Sequence, residues 1–208
     1  SETIRAELDI PPDAQIIVFN GNDHAAVALD IRQLYEAVEI LLERGRNVIL
    51  IRTGHALPAN YEGLQFCPGP RCIELGFIER ERVPDIMSLA DVVIQPGNAD
   101  AFNTFRLPAK VPEYLSMGKP LIMGAVNIGC ELAESNSALV LAHLSPVTMA
   151  NAVEQLLDDY GAAETIASRG KKFARHRFAE ATIAPELEAF YEACLRKLQP
   201  ISVDAAAQ

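Results

Sequence analysis

The sequence predicts an α/β domain with a doubly wound, parallel, Rossmann-like sheet of about six strands, followed by C-terminal helices. Short apolar runs rich in β-branched residues alternate with stretches whose apolar residues recur three and four positions apart. Beyond residue 146 the spacing is helical only. Strands that alternate with helices pair in parallel and are covered on both faces, so this order of patterns indicates the fold class.

The first part of the chain contains three predicted strands and one long helix. Residues 15–19 form an apolar run typical of a buried strand, which Asn20 and Gly21 end. The second strand is predicted at 47–51 and the third at 72–77. Between the first two strands a helix is predicted, which ends at Arg44-Gly45. Its apolar residues recur at helical spacing: Ile31, Leu34, Tyr35, Val38, Leu41 and Leu42.

The second part contains three more strands and the closing helices. Pro84 lies in the first turn of a helix that reaches residue 90, and Asp91 precedes a strand at 92–95. Further strands are predicted at 121–123 and 139–141. Helices are then predicted at 146–159, 162–178 and 184–198. We expect one domain over residues 1–199 and a frayed tail at 200–208.

Composition limits the possible partners and the compartment. The 208 residues carry a net charge of -10, which argues against nucleic acid as a partner but not against a small anion. Four cysteines without a Cys-x-x-Cys pair predict no zinc site and a reduced, cytoplasmic compartment. No apolar run approaches 18 residues, so no membrane span is predicted. Because the chain starts at Ser1 without Met, we expect it to be part of a longer protein.

The most informative segment runs from residue 106 to residue 122. A polar loop ends at Pro108, and a short predicted helix then carries Lys110 and Glu113 one turn apart, until Gly118 ends it. Residues three apart share a helix face, so a cation and a carboxylate point together from a first turn, where anions are also favoured. A plain surface salt bridge between Lys110 and Glu113 is the alternative interpretation.

This segment resembles the donor-binding signature of the family 4, or group 1, glycosyltransferases, which are nucleotide-sugar enzymes with the GT-B fold. The shared features are the Lys-x-x-Glu-Tyr helix start at Lys110 and the Gly-Lys-Pro that precedes an apolar strand. The resemblance extends to an earlier segment. There Gly76-Phe77-Ile78 is followed by a predicted helix, by Ala90-Asp91 and by a predicted strand, in the same order as in the family.

The resemblance implies that the chain is the C-terminal, donor-binding half of such an enzyme. It implies transfer of a hexosyl group with retention of configuration, without a metal or a cofactor. The partners would be a nucleotide-sugar donor and an N-terminal domain of the same longer chain, which would hold the acceptor.

The resemblance also locates the donor, because ligands of open α/β sheets bind outside the carboxyl ends of the strands. Gly21 and Asn22 lie in the turn that approaches the diphosphate in relatives. The Arg and Lys that usually follow this turn are absent between residues 20 and 29. His24 is either a substitute or incidental. Arg52 is either a source of the missing charge or an ordinary exposed side chain.

The remaining candidates follow the third and fourth strands. Phe77 and Ile78 match the residues that cradle the nucleotide base, although core packing is the alternative for Phe77. Further donor-binding candidates lie in and after the loop that follows strand four: Asn103, Thr104, Arg106, Lys110 and Glu113. Arg106 and Lys110 are candidate stabilisers of the leaving diphosphate, and Glu113 suits the ribose hydroxyls.

One position departs from the family. Many relatives have a Glu-x7-Glu pair, but Phe105 stands where the first Glu would be, and Asp100 is the nearest alternative carboxylate. This departure and the missing Arg/Lys pair leave two rival functions open. One is a non-catalytic nucleotide-binding or scaffold module. The other is a different GT-B enzyme, such as a nucleotide-sugar epimerase, whose catalytic carboxylates and histidine are not apparent in the sequence.

A basic stretch at 169–177 also has two interpretations. It contains Arg169, Lys171, Lys172, Arg175 and Arg177. A basic helix can touch acidic lipids at a membrane surface, so peripheral contact with the inner face of a membrane is one possibility. A solvated helix end is the other.

Overall fold

The computed structural model describes residues 2–55 and 69–198, which contain six strands and eight α-helices. The strands are β1 (Gln15–Asn20), β2 (Val48–Thr53), β3 (Cys72–Glu74), β4 (Val92–Gln95), β5 (Leu121–Gly124) and β6 (Leu139–Leu141). The helices are α1 (Glu2–Glu7), α2 (Ala28–Glu43), α3 (Val83–Ser88), α4 (Lys110–Ser116), α5 (Ile128–Glu134), α6 (Pro146–Asp158), α7 (Tyr160–Arg177) and α8 (Glu180–Leu198).

All six strands pair in parallel, in the order β3-β2-β1-β4-β5-β6. The predicted doubly wound sheet of about six strands is therefore confirmed. The order reverses between β1 and β4, where the chain moves from one half of the sheet to the other. Loops on either side of such a switch point separate at the carboxyl edge and leave a crevice.

Two apolar layers cover the sheet, and β1 shows how its side chains divide between them. Ile17 and Phe19 pack on one face, with residues of α2 and α6. Ile16 and Val18 pack on the other face, with residues of α3, α4 and α7. Successive strand residues point to opposite faces, and burial on both faces explains why the central strands read as continuous apolar runs.

Several element boundaries differ from the sequence prediction. The third strand ends at Glu74 rather than at residue 77, because the chain turns at Gly76, whose φ of 63° lies in the left-handed region. β2 extends to Thr53, beyond the predicted 47–51. Helix α8 begins at Glu180 and contains Pro185, which the prediction placed in its first turn. The predicted tail at 200–208 lies outside the described residues.

Two helices, α1 and α5, were not predicted from the sequence. The start of α5 depends on Asn127, which has a φ of 51° and whose side-chain oxygen accepts a hydrogen bond from Ile128 N at 2.7 Å. Asn tolerates this left-handed conformation better than other residues with a Cβ. Its side chain therefore caps a helix that the spacing of apolar residues does not predict.

The amino edge of the sheet is fixed by two charged residues of the sequence signature. Asp91 accepts a hydrogen bond from Ile16 N at 2.7 Å and thereby ties the start of β1 to the residue before β4. Lys119 donates to the carbonyls of Ser88 and Ala90, at 2.7 and 2.8 Å, at the end of α3. A cation suits the carboxyl end of a helix. The lysine of Gly-Lys-Pro is thus structural, at the edge opposite the crevice.

Within residues 2–55 and 69–198, none of the helices combines the length and the apolar character needed to cross a bilayer.

We predict that Lys119→Met lowers the free energy of unfolding by about 1–2 kcal/mol, because two carbonyls lose a charged donor. Urea denaturation of the chain measures this loss. Lys172→Met is the matched control, since Lys172 is exposed on α7, and it should leave stability unchanged. Equal stability of the two variants would show that the Lys119 hydrogen bonds contribute nothing net.

Candidate functional site

A cleft of about 500 Å³ opens at the carboxyl edge of the sheet, between the loop after β1 and the start of α4. This is the switch point of the strand order, where a ligand site is expected from topology alone. Five of the predicted site residues line it: Gly21, Asn22, Arg106, Lys110 and Glu113. His24 also lines it, from an exposed position in the same loop.

The two walls of the cleft are joined by the hydroxyl of Tyr114. It accepts a hydrogen bond from Asn20 N at 2.8 Å and donates to Asn20 O at 3.3 Å. Tyr114 is fully buried, and burial raises its pKa, so the hydroxyl stays protonated and can donate. The Asn20 side chain in turn accepts from Thr53 Oγ1 at 2.5 Å. The ends of β1, β2 and α4 are therefore held together.

Gly21 provides the space in which the Lys110 side chain lies. A Cβ on Gly21 would stand 1.9 Å from Lys110 Nζ, so a larger residue would displace the ammonium group. A Cβ on Gly54 would stand 2.6 Å from the Gly21 carbonyl, and Gly54 has a φ of 99°. Glycines at both positions let the β1 and β2 loops approach each other closely.

Among residues 2–55 and 69–198, no carboxylate forms an ion pair with the Lys110 ammonium, which lies in the cleft. Its pKa is lowered to about 8, mainly by burial and also by the charges of Arg106 and Arg52, while Glu113 acts in the other direction. The alternative interpretation, a surface salt bridge between Lys110 and Glu113, is wrong, since the two interact only at longer range. Nζ lies 4.4 Å from the centroid of the Phe19 ring.

Arg106 is the second cation of the cleft. Its guanidinium lies 4.5 Å from the centroid of the Phe102 ring, and it donates a long hydrogen bond, 3.4 Å, to Asn103 Oδ1. Its Nε is buried and has no hydrogen-bond partner within the described parts of the chain. Burial lowers its pKa, while Asp30 and Asp100 act against that change. An arginine at this position stays charged at any ordinary pH.

Two carboxylates lie behind Arg106, and one of them, Asp30, was not predicted from the sequence. Asn103 Nδ2 donates to Asp30 Oδ2 at 3.4 Å and to Asp100 Oδ2 at 3.2 Å. Burial raises the pKa of Asp30, the hydrogen bond from Asn103 lowers it, and Asp100 raises it. The signal for Asp30 was its place in the first turn of α2, where anions are favoured.

Asn103 and Thr104, both predicted donor contacts, do not line the main cleft. Asn103 is buried and supports Arg106 from behind. The carbonyl of Thr104 accepts a hydrogen bond from Asn127 Nδ2 at 3.1 Å, which ties this loop to the loop after β5. Phe105, at the position of the family's first Glu, is 86% exposed.

Arg52 has a structural role rather than that of a free cation. The alternative of an exposed side chain is wrong, because Arg52 is only 2% exposed. Its Nε donates to Glu74 at 2.6 Å, and its Nη1 donates to the carbonyls of Gly21 and His55, each at 3.3 Å. The charge is neutralised by Glu74, so Arg52 acts on the cleft mainly by fixing the Gly21 turn.

Phe77 and Ile78 follow β3, further along the carboxyl edge. Core packing is the wrong interpretation for Phe77, which is 67% exposed and stacks on His55 with a centroid distance of 5.4 Å. Ile78 packs against the core beside α3 and α4. Sequence reasoning missed the aromatic partner His55, because the pairing of β2 with β3 was not known.

The cleft thus combines two cations and a glycine turn with a carboxylate at Glu113. Among residues 2–55 and 69–198, no three His, Cys, Asp or Glu side chains are grouped so that they could hold a metal ion. Cations and backbone N–H groups suit a phosphate, and a carboxylate suits neighbouring hydroxyls. The arrangement fits a ligand that carries both a phosphate and neighbouring hydroxyls.

A family model described as "Glycosyl transferases group 1" matches residues 14–159, which is more than half of the chain. The chain belongs to the group 1 glycosyltransferases. The alpha-D-kanosaminyltransferase of Streptomyces kanamyceticus is 24% identical to it over 185 residues, which is 86% of this chain and 46% of that protein. This group 1 glycosyltransferase chain spans about half the length of the relatives it matches.

Solved structures share the fold. HepE of Anabaena, in complex with UDP-glucose, superimposes with a TM-score of 0.70 at 18% identity, covering 92% of this chain and 52% of HepE. The C-terminal domain of a group 1 family glycosyltransferase from Francisella tularensis superimposes with a TM-score of 0.64 at 16% identity. That match covers 83% of this chain and 90% of the Francisella domain.

We predict that Tyr114→Phe lowers the free energy of unfolding by about 1–3 kcal/mol, because the Asn20 N–H loses its partner in a buried setting. Tyr191→Phe is the matched control, since Tyr191 is exposed on α8, and it should be neutral. Chemical denaturation compares the two. A neutral Tyr114→Phe would show that Asn20 finds another partner and that the hydroxyl does not hold the cleft together.

Proposed function

We propose that this chain is the donor-binding domain of a retaining glycosyltransferase that transfers a hexosyl group from a nucleotide-diphosphate sugar to an acceptor hydroxyl. The observation that carries the proposal is the Lys110 ammonium, which lies over Gly21 in the same cleft as Arg106 and hydrogen-bonds to no group in the described residues. A buried cation without a hydrogen-bond acceptor is costly, and an anionic ligand would supply acceptors. The family supports a diphosphate as that anion.

Arg106 and Lys110 act on the leaving group in this proposal. When the bond between the sugar and the phosphate oxygen breaks, its electron pair stays with the diphosphate. Two cations fixed beside that oxygen stabilise the new charge, and the backbone at Gly21 and Asn22 can approach the phosphates closely. Because the protein supplies both cations, no metal ion and no cofactor is needed in this scheme.

Glu113 and the aromatic pair after β2 and β3 account for the nucleoside. Glu113 is exposed at the rim of the cleft, one helical turn from Lys110, and its carboxylate can accept hydrogen bonds from two ribose hydroxyls. Phe77, stacked on His55, and Ile78 offer an apolar surface to the base. Asn103, Thr104 and Arg52 act indirectly, by holding Arg106 and the Gly21 turn.

The second half of the enzyme, in this proposal, is an N-terminal domain of the same longer chain. The coverage of the Francisella C-terminal domain supports this division. Helix α8 also presents a stripe of apolar side chains to solvent, which would suit such a domain: Ile183, Leu187, Phe190, Tyr191 and Leu195. Closure of two domains positions the acceptor against the donor, so this chain alone should bind donor and transfer little.

A non-catalytic binding module is the rival function that one observation favours. Phe105 is 86% exposed and carries no charge at the position of the family's first Glu. The rival also binds nucleotides, so binding does not separate the two. Sugar transfer by a chain extended to include the upstream half would support the enzyme, and binding without transfer in that longer chain would support the module.

We also propose a cytoplasmic location, which the free thiols of Cys72, Cys130 and Cys194 support. The side chains of Arg169, Lys171, Lys172 and Arg175 are exposed on α7. They provide a basic surface that suits peripheral contact with acidic lipids. The acidic balance of the whole chain argues against nucleic acid as a partner.

We predict that Lys110→Ala and Glu113→Ala separate the two parts of the ligand. Lys110→Ala should weaken UDP about 10- to 100-fold and leave uridine unchanged, because a charged phosphate contact is lost. Glu113→Ala should instead reduce the preference for UDP over its 2′-deoxy and 3′-deoxy analogues. Calorimetry with UDP, GDP and ADP measures this, with Lys172→Ala as the surface control. Equal losses on every ligand would mean that the pair only holds the helix in place.

We predict that affinity for UDP-glucose falls about tenfold between pH 7 and pH 9. The free-protein pKa of Lys110 is about 8, and a bound anion favours the charged form and raises that pKa. The complex therefore holds more protons than the free protein, so binding weakens as pH rises through 8. Lys110→Met, which does not titrate there, is the control and should bind weakly with a flat profile. A flat profile for the unmodified chain would contradict the role of this ammonium.

A further inference from the structure

The side chain of Phe19 lies directly beneath the Lys110 ammonium of the cleft. It is the fifth residue of β1 and is 2% exposed. Its ring centroid lies 4.4 Å from Lys110 Nζ, and its Cζ would be 2.9 Å from a Cβ on Gly21. The ring therefore forms the surface on which the ammonium rests, on the side of the sheet that carries α2 and α6.

The ring face also attracts this ammonium at close range. Among the charged groups that act on Lys110, Arg106 and Arg52 repel it and Glu113 attracts it at longer range. The face of an aromatic ring is negative and attracts a cation held within about 6 Å of its centroid. Burial makes that attraction stronger, because less water competes for the charge.

We propose that Phe19 is a positioning residue: its ring holds the Lys110 ammonium charged and centred over Gly21, with its N–H donors free for an anion. This inference rests on the proposed function only in taking the donor diphosphate as that anion. If a carboxylate stood in place of the ring, it would occupy the N–H donors of Lys110, and the ligand would have to displace it. A ring face holds the charge without accepting a conventional hydrogen bond, so the three donors of a lysine remain available.

The groups facing Lys110 come from each element packed around it. Glu113 lies on its own helix, Arg106 in the preceding loop, and Arg52 on β2. His24 lines the same cleft, and two carboxylates, Asp30 and Asp100, act on Arg106 rather than on Lys110. A substitution within the Phe19 ring leaves all of these groups unchanged. It therefore tests the effect of the ring on Lys110 separately from the effects of the charged groups.

The test replaces Phe19 with 3-fluoro- and 3,5-difluorophenylalanine by site-specific incorporation. Fluorine withdraws charge from the ring face with little change of shape, and the meta positions avoid the Cζ that faces Gly21. We expect the pKa of Lys110, measured by NMR of its side chain in the ligand-free protein, to fall stepwise by about one unit in all. Affinity for UDP-glucose at pH 8 should fall about fivefold, in step with the protonated fraction.

Two controls make the outcome clear. The same analogues at Phe173, which packs edge-on against Phe178 with a centroid distance of 6.2 Å, should change neither quantity. Phe19→Leu removes the ring altogether and should give a larger loss of affinity than difluorination does. Thermal unfolding checks that each variant folds.

An unchanged Lys110 pKa across the fluorinated series would overturn the inference, because the ring would then be only a spacer. Loss of affinity without a change in that pKa would overturn it as well. A falling pKa in a protein that binds no nucleotide would support the positioning role of Phe19 and contradict the proposed function. The two proposals can therefore fail separately.

Discussion

The cleft depends on the bond between a buried tyrosine hydroxyl and the backbone of the last residue of β1. Tyr114 and Asn20 are 94 residues apart in sequence, yet the hydroxyl meets both the N–H and the carbonyl of Asn20. This contact sets the distance between the Gly21 turn and the first turn of α4. With that distance fixed, Lys110 lies across Gly21 and over Phe19.

Three basic residues that look alike in the sequence are distinguished by their acceptors. Lys119 donates to two backbone carbonyls and stabilises the end of α3. Arg52 is neutralised by Glu74 and holds the carbonyls of Gly21 and His55. Lys110 faces the aromatic ring of Phe19, and no oxygen of the described residues accepts a hydrogen bond from it. A cation that has no oxygen acceptor in its cleft can bind an anion without first losing another partner. The proposal depends on Lys110 for this reason.

The sequence predicted the layers and the strand count well, because burial on both faces leaves continuous apolar runs. The family resemblance, together with the rule that ligands bind at the carboxyl edge, also predicted that Gly21, Lys110 and Glu113 would meet. The environment of Arg52 could not be predicted in this way. The predicted second strand ended at residue 51, and the pairing of Arg52 with Glu74 follows only from the register of β2 on β3. Asp30 was missed because its partner Asn103 lies 73 residues away.

The central claim is that this cleft receives a diphosphate on Lys110 and Arg106. The most direct test is an NMR titration of the chain with UDP and with uridine, followed at backbone amides and at the Lys110 side chain. The account predicts that UDP shifts the signals of Gly21, Asn22, Arg106 and Lys110, that uridine leaves Lys110 unchanged, and that Lys119 at the opposite edge responds to neither. Shifts centred on Lys119, or none at the Lys110 ammonium at saturating UDP, would contradict it.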